Sequence, residues 1–258
     1  MNTANKLFLA TATTWNVECT KSPFEWLAES IDTFTDVMEL GGVAFEKYRT
    51  ENRKYIEFTK NLLKQADINI SSIEVDAKEV MGGPALPFQI VVQGKIIPPN
   101  EGKHYDVEIT TGYTVVDENG EKTEFSLTLQ EESIGTQLLF FYGPLLKDAF
   151  EKGKTIVLDE IDKSMHPSLV KFIMNLFRDP DVNKNGAQLI VTTHETGILS
   201  LDMFRRDQIY FTEKDSKSGV TDLYSLDEFS VRKTENIEKG YLMGRYGAIP
   251  FLQAGEVL

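Results

Sequence analysis

Two short apolar runs with a helical segment between them constrain the fold of this chain more than any other feature. The runs are 155–158 (TIVL) and 188–193 (QLIVTT), and the segment PSLVKFIMNLF (167–177) lies between them. Neither run alternates with polar residues, which is typical of strands covered on both faces in a parallel sheet. Their spacing of about 30 residues fits one βαβ unit. We therefore predict an α/β protein with a parallel sheet and flanking helices.

Hydrophobic periodicity divides the chain into three predicted zones. Residues 1–67 have a helical pattern, 68–130 have the alternation of an antiparallel β layer, and 131–258 return to alternating helices and strands. An Asn119-Gly120 turn predicts a hairpin in the second zone. In the third, QIYFTE (208–213) and VTDLYSL (220–226) predict a closing hairpin.

The first zone predicts two helices. SPFEWLAESIDTF (22–34) carries apolar residues every three or four positions, with Ser22 as cap and Pro23 in the first turn. The segment 45–65 repeats the pattern, and Gly41–Gly42 are predicted to separate the two helices.

Composition narrows the possible functions. The chain has 258 residues and a net charge of −13, which argues against broad electrostatic binding to nucleic acid or anionic lipid. A single cysteine, Cys19, excludes an intramolecular disulfide and fits a reducing compartment. The sequence shows neither the pattern of a signal peptide nor an apolar run long enough to span a membrane. We expect a cytoplasmic protein.

A carboxylate pair ends the first apolar strand. Asp159 and Glu160 directly follow TIVL, and parallel sheets bind ligands at the carboxyl ends of their strands. A carboxylate there can hold Mg²⁺, and a second beside it can orient or deprotonate a water molecule. An ordinary acidic turn after a strand is the structural alternative.

Two further features lie at positions that fit the same edge of the sheet. His194 ends the second apolar run, where a histidine could hydrogen-bond a phosphate or a water molecule. Ser133 is a predicted N-cap, and Gly135 and Thr136 fall in the first turn of a helix from about Ile134 to Glu151. A helix start favours anions such as phosphate. A capping or core histidine and a plain capped helix are the alternatives.

Taken together in their order, these segments resemble the nucleotide-binding domain of ABC-type ATPases. ESIGTQ (132–137) resembles the signature loop, TIVLDE (155–160) the Walker B strand, DKSMHP (162–167) the D-loop and VTTH (191–194) the switch-histidine loop. More narrowly, residues 5–252 resemble the stand-alone AAA-group ATPases that bacteria often encode near phage-defence genes. The resemblance implies a P-loop-type ABC ATPase nucleotide-binding fold, here partial.

The resemblance also implies roles for individual residues. In that family two ATP-binding domains pair head to tail, and the signature helix of one closes over the ATP held by the other. Asp159 would then serve Mg²⁺, Glu160 would be the general base, and His194 would sense the γ-phosphate.

The nucleotide contacts across that dimer would come from the signature segment. They are Ser133, Gly135, Thr136 and Gln137. The departure of ESIGTQ from the transporter-type LSGGQ leaves the serine and one glycine in place.

A phosphate-binding loop, GxxxxGK[ST] entering a helix, is not found in the sequence. Gly153-Lys154-Thr155 lacks the upstream glycine and enters a strand, and Gly120-Glu121-Lys122-Thr123 lies in a hairpin turn. We expect the chain to be the carboxyl-terminal part of such an ATPase, which would need a complementing N-terminal half, form a homodimer, or be poorly soluble alone. Its nucleotide cycle would gate an effector protein.

Two other functions remain open at this point. A degenerate ATPase would keep the fold and dimer surface as a non-catalytic interaction module. A metal-dependent nuclease is the weaker alternative, with Glu213, Asp215 and Asp222 as its candidate ligands.

Overall fold

The computed structural model places most of the chain in defined elements. It describes residues 9, 12, 14, 15, 17–50, 52–81, 91–92, 95–96, 103–116 and 118–250. These residues belong to two compact units, Met1–Thr193 and His194–Leu258. The unit boundary lies at the end of the second apolar run and does not coincide with the three zones of the sequence pattern. Within the described part of the chain, no helix is long and apolar enough to cross a membrane.

Helices and strands alternate irregularly along the chain. The helices are α1 Glu18–Ser30, α2 Val37–Thr50, α3 Asn52–Gln65, α4 Ile134–Lys152, α5 Pro167–Arg178 and α6 Ile237–Leu242. The strands are β1 Ile31–Phe34, β2 Ser72–Met81, β3 Val91–Val92, β4 Lys95–Ile96, β5 Lys103–Val116, β6 Lys122–Thr128, β7 Thr155–Leu158, β8 Gln188–Val191, β9 Tyr210–Lys214 and β10 Thr221–Ser225.

A three-stranded parallel sheet forms the centre of the first unit. Its order is β1-β7-β8, with Ile31 opposite Thr155 and Thr155 opposite Gln188. In the central strand β7, Ile156 and Leu158 are buried. The predicted α/β class, a parallel sheet with flanking helices plus antiparallel strands, is confirmed.

Strand β1 corrects one prediction. Residues 31–34 were predicted to end a helix, but the helix stops at Ser30 and Ile31–Phe34 pair with β7. The two carboxylate oxygens of buried Asp32 accept hydrogen bonds from the Lys154 ammonium at 2.9 and 3.2 Å. Over only four residues, a helical spacing of apolar side chains is also compatible with a strand. The pairing with β7 therefore decides the structure of this segment.

Two helix boundaries were also predicted wrongly. Helix α1 begins at Glu18, so Pro23 lies inside it, not in its first turn. Gly41–Gly42 lie inside α2 instead of ending a helix. A Cβ on Gly41 would come 3.5 Å from the ring of Phe141. That distance is an ordinary van der Waals contact, so Gly41 lies where α2 meets α4 at a position that would also accommodate a Cβ.

Helix α4 forms the core of the first unit. Nearly all of Leu138–Phe150 is buried, and the helix packs against α2 and α3. Tyr48 is fully buried, and its hydroxyl donates to the carbonyl of Phe140 at 2.8 Å. Asp148, only 2% exposed, receives the Lys47 ammonium and the Tyr55 hydroxyl. Both the hydrogen bond from Tyr48 and the contacts to buried Asp148 thus hold α4 to its neighbours.

The predicted antiparallel layer is present as the sheet β2-β5-β6. Gly120 has φ +83°, the left-handed conformation expected of the hairpin glycine. Strands β3 and β4 pair antiparallel with each other within the predicted layer 68–130. Residues 82–90, 93–94, 97–102 and 117 of that layer lie outside the described part of the chain.

The second unit is a small aromatic core around the predicted hairpin. Strands β9 and β10 pair antiparallel, as predicted. Phe211 stacks on Tyr241 with ring centroids 5.5 Å apart, and Tyr246 is 1% exposed. The core residues are Ile209, Phe211, Leu226, Val231, Ile237 and Tyr246. Residues 240–250 therefore contribute to this core through Tyr241 and Tyr246.

Candidate functional site

The carboxylate pair lies at the carboxyl end of the central strand of the parallel sheet. Strand β7 ends at Leu158, and the backbone N–H of Asp159 still donates to the carbonyl of Phe34 at 3.1 Å. Because β1, β7 and β8 are parallel, their carboxyl ends share this edge. Asp159 is exposed and Glu160 is half-buried. The pair therefore lies where the sequence predicted it, at the edge at which parallel sheets bind ligands.

Glu160 has an unusual backbone conformation. Its φ is +49°, in the left-handed region that non-glycine residues seldom adopt. Such a conformation costs about 1–3 kcal/mol and persists where surrounding contacts enforce it, which is common at functional sites. The carbonyl of Glu160 accepts from the N–H of Lys163 at 2.9 Å. The chain therefore turns sharply at the predicted base, directly after the strand.

Thr192, at the end of β8, contacts this turn. Its hydroxyl donates to Oδ1 of Asp159 and accepts from the backbone N–H of Glu160 at 2.8 Å. Thr192 lies within the VTTH segment (191–194), whose pattern predicts no role for it. One feature of the sequence could have predicted a role: Thr192 directly follows the strand that neighbours TIVL, and from there a hydroxyl can reach the end of the neighbouring strand.

The predicted helix start at Ser133 is confirmed. Ser133 is the N-cap of α4, and its Oγ accepts from the N–H of Thr136 at 3.1 Å. The two hydroxyls lie 2.8 Å apart. Thr136 is 6% exposed, so its hydroxyl is directed into this cap. The side-chain amide of Gln137 donates to the carbonyl of Glu132 at 2.8 Å. Ser133 is exposed, whereas Thr136 and Gln137 hold the helix start together.

The helix start lies beside the loop that follows the carboxylate pair. A Cβ on Gly135 would come 3.8 Å from the carbonyl oxygen of Ser164 and 3.7 Å from Leu169. Ser164 itself has φ +63°. His166 caps α5, because its Nδ1 accepts from the N–H of Ser168 at 3.2 Å. The segments that resemble the signature loop and the D-loop are thus neighbours within this chain.

The remaining predicted site residue, His194, is the first residue of the second unit and is exposed. Its role as a γ-phosphate sensor stays a prediction. In the same unit, the carboxylate of Asp215 accepts from the N–H and hydroxyl of Ser218 and so stabilises a turn. Glu213 and Asp222 face each other across the hairpin. These three residues do not form a metal-binding cluster in the described part of the chain.

The glycine-lysine-threonine segment has a structural role. Gly153 ends α4 in the left-handed conformation with φ +66°, Lys154 pairs with Asp32, and Thr155 opens β7. Lys154 is therefore engaged at the amino end of the sheet, opposite to the carboxylate pair. This segment does not have the strand-to-helix geometry of a phosphate loop.

The carboxylates fit a hydrated divalent cation better than a closed metal cage. Among the described residues there is no group of three or more Asp, Glu, His or Cys side chains that could hold a metal ion. Mg²⁺ commonly keeps several waters and takes only one or two carboxylates together with substrate phosphates. An exposed Asp159 at a strand end suits that chemistry. The Glu160–Lys163 ion pair, at 3.4 Å, contributes little, because water reaches 44% of the Glu160 side chain and 69% of the Lys163 side chain.

Comparison with known proteins identifies the family. The family described as "AAA domain, putative AbiEii toxin, Type IV TA system" matches residues 20–200, which include the helix start at Ser133 and the carboxylate pair. The chain belongs to this family of AAA domains. A search of curated proteins finds no match.

Among solved structures, one match is the crystal structure of the SmcHead bound to the C-winged helix domain of ScpA. It is 15% identical in sequence, with a TM-score of 0.34, and the match covers 70% of this chain. The chain spans 43% of the length of that structure's matched chain.

Proposed function

We propose that this AAA-family chain is the Walker B and signature portion of an ATP-hydrolysing module. One observation carries the proposal. The adjacent carboxylates Asp159 and Glu160 lie at the carboxyl end of the central parallel strand, with Glu160 held in a left-handed turn. Backbone strain at non-glycine residues is common at functional sites, and it supports the assignment of this turn.

The proposed division of labour follows from the two side chains. Asp159, exposed at the strand end, would hold Mg²⁺ together with nucleotide phosphates, and bound Mg²⁺ would neutralise charge on those phosphates. Glu160 would orient the attacking water and accept its proton. His194 would hydrogen-bond the γ-phosphate. Family membership supports ATP and Mg²⁺ as the cofactors.

The module would require a phosphate-binding loop, and we propose that an N-terminal part outside residues 1–258 supplies it. Strand β8 supports this requirement. In the described part of the chain it pairs only with β7, and Ile190 in this apolar strand is 57% exposed. Such an edge favours pairing with a further strand. We propose that a strand of the complementing half pairs with β8.

Assembly into a head-to-tail dimer is the second part of the proposal. Exposed Ser133 and the neighbouring loop at Ser164 would together face the nucleotide of a second copy, with Gly135 allowing close approach. Thr136 and Gln137 would act by holding this helix start. We propose a cytoplasmic location and a role in phage defence, in which the cycle gates an effector, on the resemblance of the sequence to the stand-alone ATPases encoded near phage-defence genes.

The test combines the chain with the polypeptide encoded immediately upstream, or with the phosphate-loop half of a related AAA domain. We expect Mg²⁺-dependent ATP turnover by the mixture and none by the chain alone. Glu160→Gln should abolish turnover while ATP binding persists. Turnover that survives Glu160→Gln would exclude the assigned base.

A non-catalytic interaction module is the second candidate function. The engagement of Lys154 by Asp32 favours it, because the chain's own glycine-lysine-threonine segment is thereby committed to structure. Lack of ATP binding with every complementing half, alongside retained dimer formation, would favour this candidate over hydrolysis.

A further inference from the structure

Thr192 makes hydrogen bonds to four successive residues of the turn that carries the carboxylate pair. Its N–H donates to the carbonyl of Leu158 at 3.0 Å, and its carbonyl accepts from the N–H of Ile161 at 3.1 Å. Between these, its hydroxyl donates to Asp159 and accepts from the N–H of Glu160 at 2.8 Å. The backbone bond to Leu158 continues the β7–β8 ladder, whereas the bond from Ile161 lies one residue beyond the regular position. The two hydroxyl bonds depend on the Thr192 side chain.

The hydroxyl acts on two different parts of the site. Its bond to Oδ1 of Asp159 restricts the rotation of that carboxylate. Its bond from the Glu160 N–H satisfies a donor at the residue with φ +49°, where the regular ladder has ended. A strained conformation persists only when its surroundings determine it. The threonine hydroxyl is a side-chain contact to the backbone of this residue.

We infer that Thr192 is the positioning residue for the carboxylate pair: it orients Asp159 toward a divalent cation and holds Glu160 in its left-handed turn. The role of Thr192 in cation binding rests on the proposed function, whereas its contacts with the two carboxylate residues are given by the hydrogen bonds. Because both bonds use one hydroxyl, removal of that oxygen disturbs both carboxylates at once. Hydrogen bonds to ligating carboxylates commonly control metal affinity.

The chain offers a matched set of variants. Thr192→Val removes the hydroxyl and keeps the branched shape, while Thr192→Ser keeps the hydroxyl. Thr155→Val is the control, because the Thr155 hydroxyl also bridges β7 and β8, to Gln188 at 3.3 Å, but at the other end of the strands. Thr192→Ala is a second hydroxyl deletion if the valine variant fails to fold.

The first measurement is amide exchange in the full chain, without nucleotide. We expect the Glu160 N–H to exchange about fivefold to tenfold faster in Thr192→Val, the loss that corresponds to one hydrogen bond. Thr192→Ser and Thr155→Val should match the parent. Unchanged exchange at Glu160 in the valine variant would overturn the inference.

The second measurement titrates Mn²⁺ alone and follows paramagnetic broadening of the Asp159 and Glu160 amide signals. Thr192→Val should require at least about tenfold more Mn²⁺ for the same broadening, with Thr192→Ser restoring the parent value. Equal broadening in the valine variant, or none in the parent chain, would overturn the inference. Failure of the complemented mixture to hydrolyse ATP would instead contradict the proposed function and leave these two results to decide the role of Thr192.

Discussion

The buried carboxylate of Asp148 offers the sharpest test of how the first unit is held together. It is 2% exposed and receives the Tyr55 hydroxyl at 2.7 Å, the Lys152 ammonium at 3.4 Å, and the ammonium of Lys47. We expect Asp148→Asn to reduce the free energy of unfolding, because the amide keeps the shape but loses the charge and turns one acceptor into a donor.

The contacts set the size of this loss. Hydrogen bonds to a charged group contribute about 1.5–3 kcal/mol, and breaking a fully buried ion pair costs about 3–5 kcal/mol. The side chain of Lys47 is 25% exposed, so water compensates part of its lost partner. We therefore expect a loss of about 2–4 kcal/mol. Urea unfolding followed by far-ultraviolet circular dichroism measures it, since α1 to α5 all lie in the first unit.

A matched control lies three residues further along the same helix. Glu151 pairs with Lys54 at 2.6 Å and Lys147 at 2.9 Å, but its side chain is 41% exposed. Glu151→Gln should cost less than about 1 kcal/mol. Equal losses in the two variants, or a loss below about 1 kcal/mol in Asp148→Asn, would refute the assignment of a buried ion pair.

The same pair predicts a dependence on pH. Burial alone would raise the pKa of Asp148, but hydrogen bonds from Lys47 and Tyr55 and the charges of Lys47 and Lys152 outweigh it and lower the pKa below 3.8. A lowered folded pKa stabilises the protein above the ordinary value, and this contribution is lost as the pH falls through 3.8 toward the folded pKa. The difference between parent and Asp148→Asn should therefore shrink in acid, and a constant difference would contradict the ionic origin.

Three further substitutions test other contacts, each by urea unfolding against the parent chain. Gly143→Ala should cost about 1–3 kcal/mol, because its Cβ would lie 2.9 Å from Cβ of buried Thr59, and Thr59→Ala should recover part of the loss. Asp32→Asn should cost about 3 kcal/mol, since the Lys154 side chain is 11% exposed and would lose its partner. Gly247→Ala should destabilise the second unit by about 1–2 kcal/mol, measured by near-ultraviolet circular dichroism, because φ is +70°. A variant as stable as the parent chain would contradict the contact or backbone conformation on which its prediction rests.

Strong local signals made much of the fold predictable. A short apolar run identified β7, and Ser133 as a capping residue identified the start of α4. By contrast, Ile31–Phe34 has a spacing compatible with either helix or strand, and its pairing with residues more than 120 positions later decides between them. Gly41–Gly42 suggested a break, but both residues lie inside α2, where Gly41 contacts the ring of Phe141 in α4.

The site was predictable in its composition but not in its geometry. The order of motifs located Asp159 and Glu160 at a strand end, because the carboxyl ends of parallel strands meet there. The left-handed backbone of Glu160 and its contact with Thr192 arise from pairing between strands 32 residues apart in sequence, as shown by the bond from the Glu160 N–H. No local pattern of residues encodes that contact.

Release of γ-phosphate from ATP by the complemented chain tests the central claim most directly. With a phosphate-loop half and Mg²⁺ supplied, we predict turnover that Glu160→Gln abolishes without loss of ATP binding and that Asp159→Asn abolishes at the same Mg²⁺ concentration. Turnover at the parent rate in either variant would contradict the account.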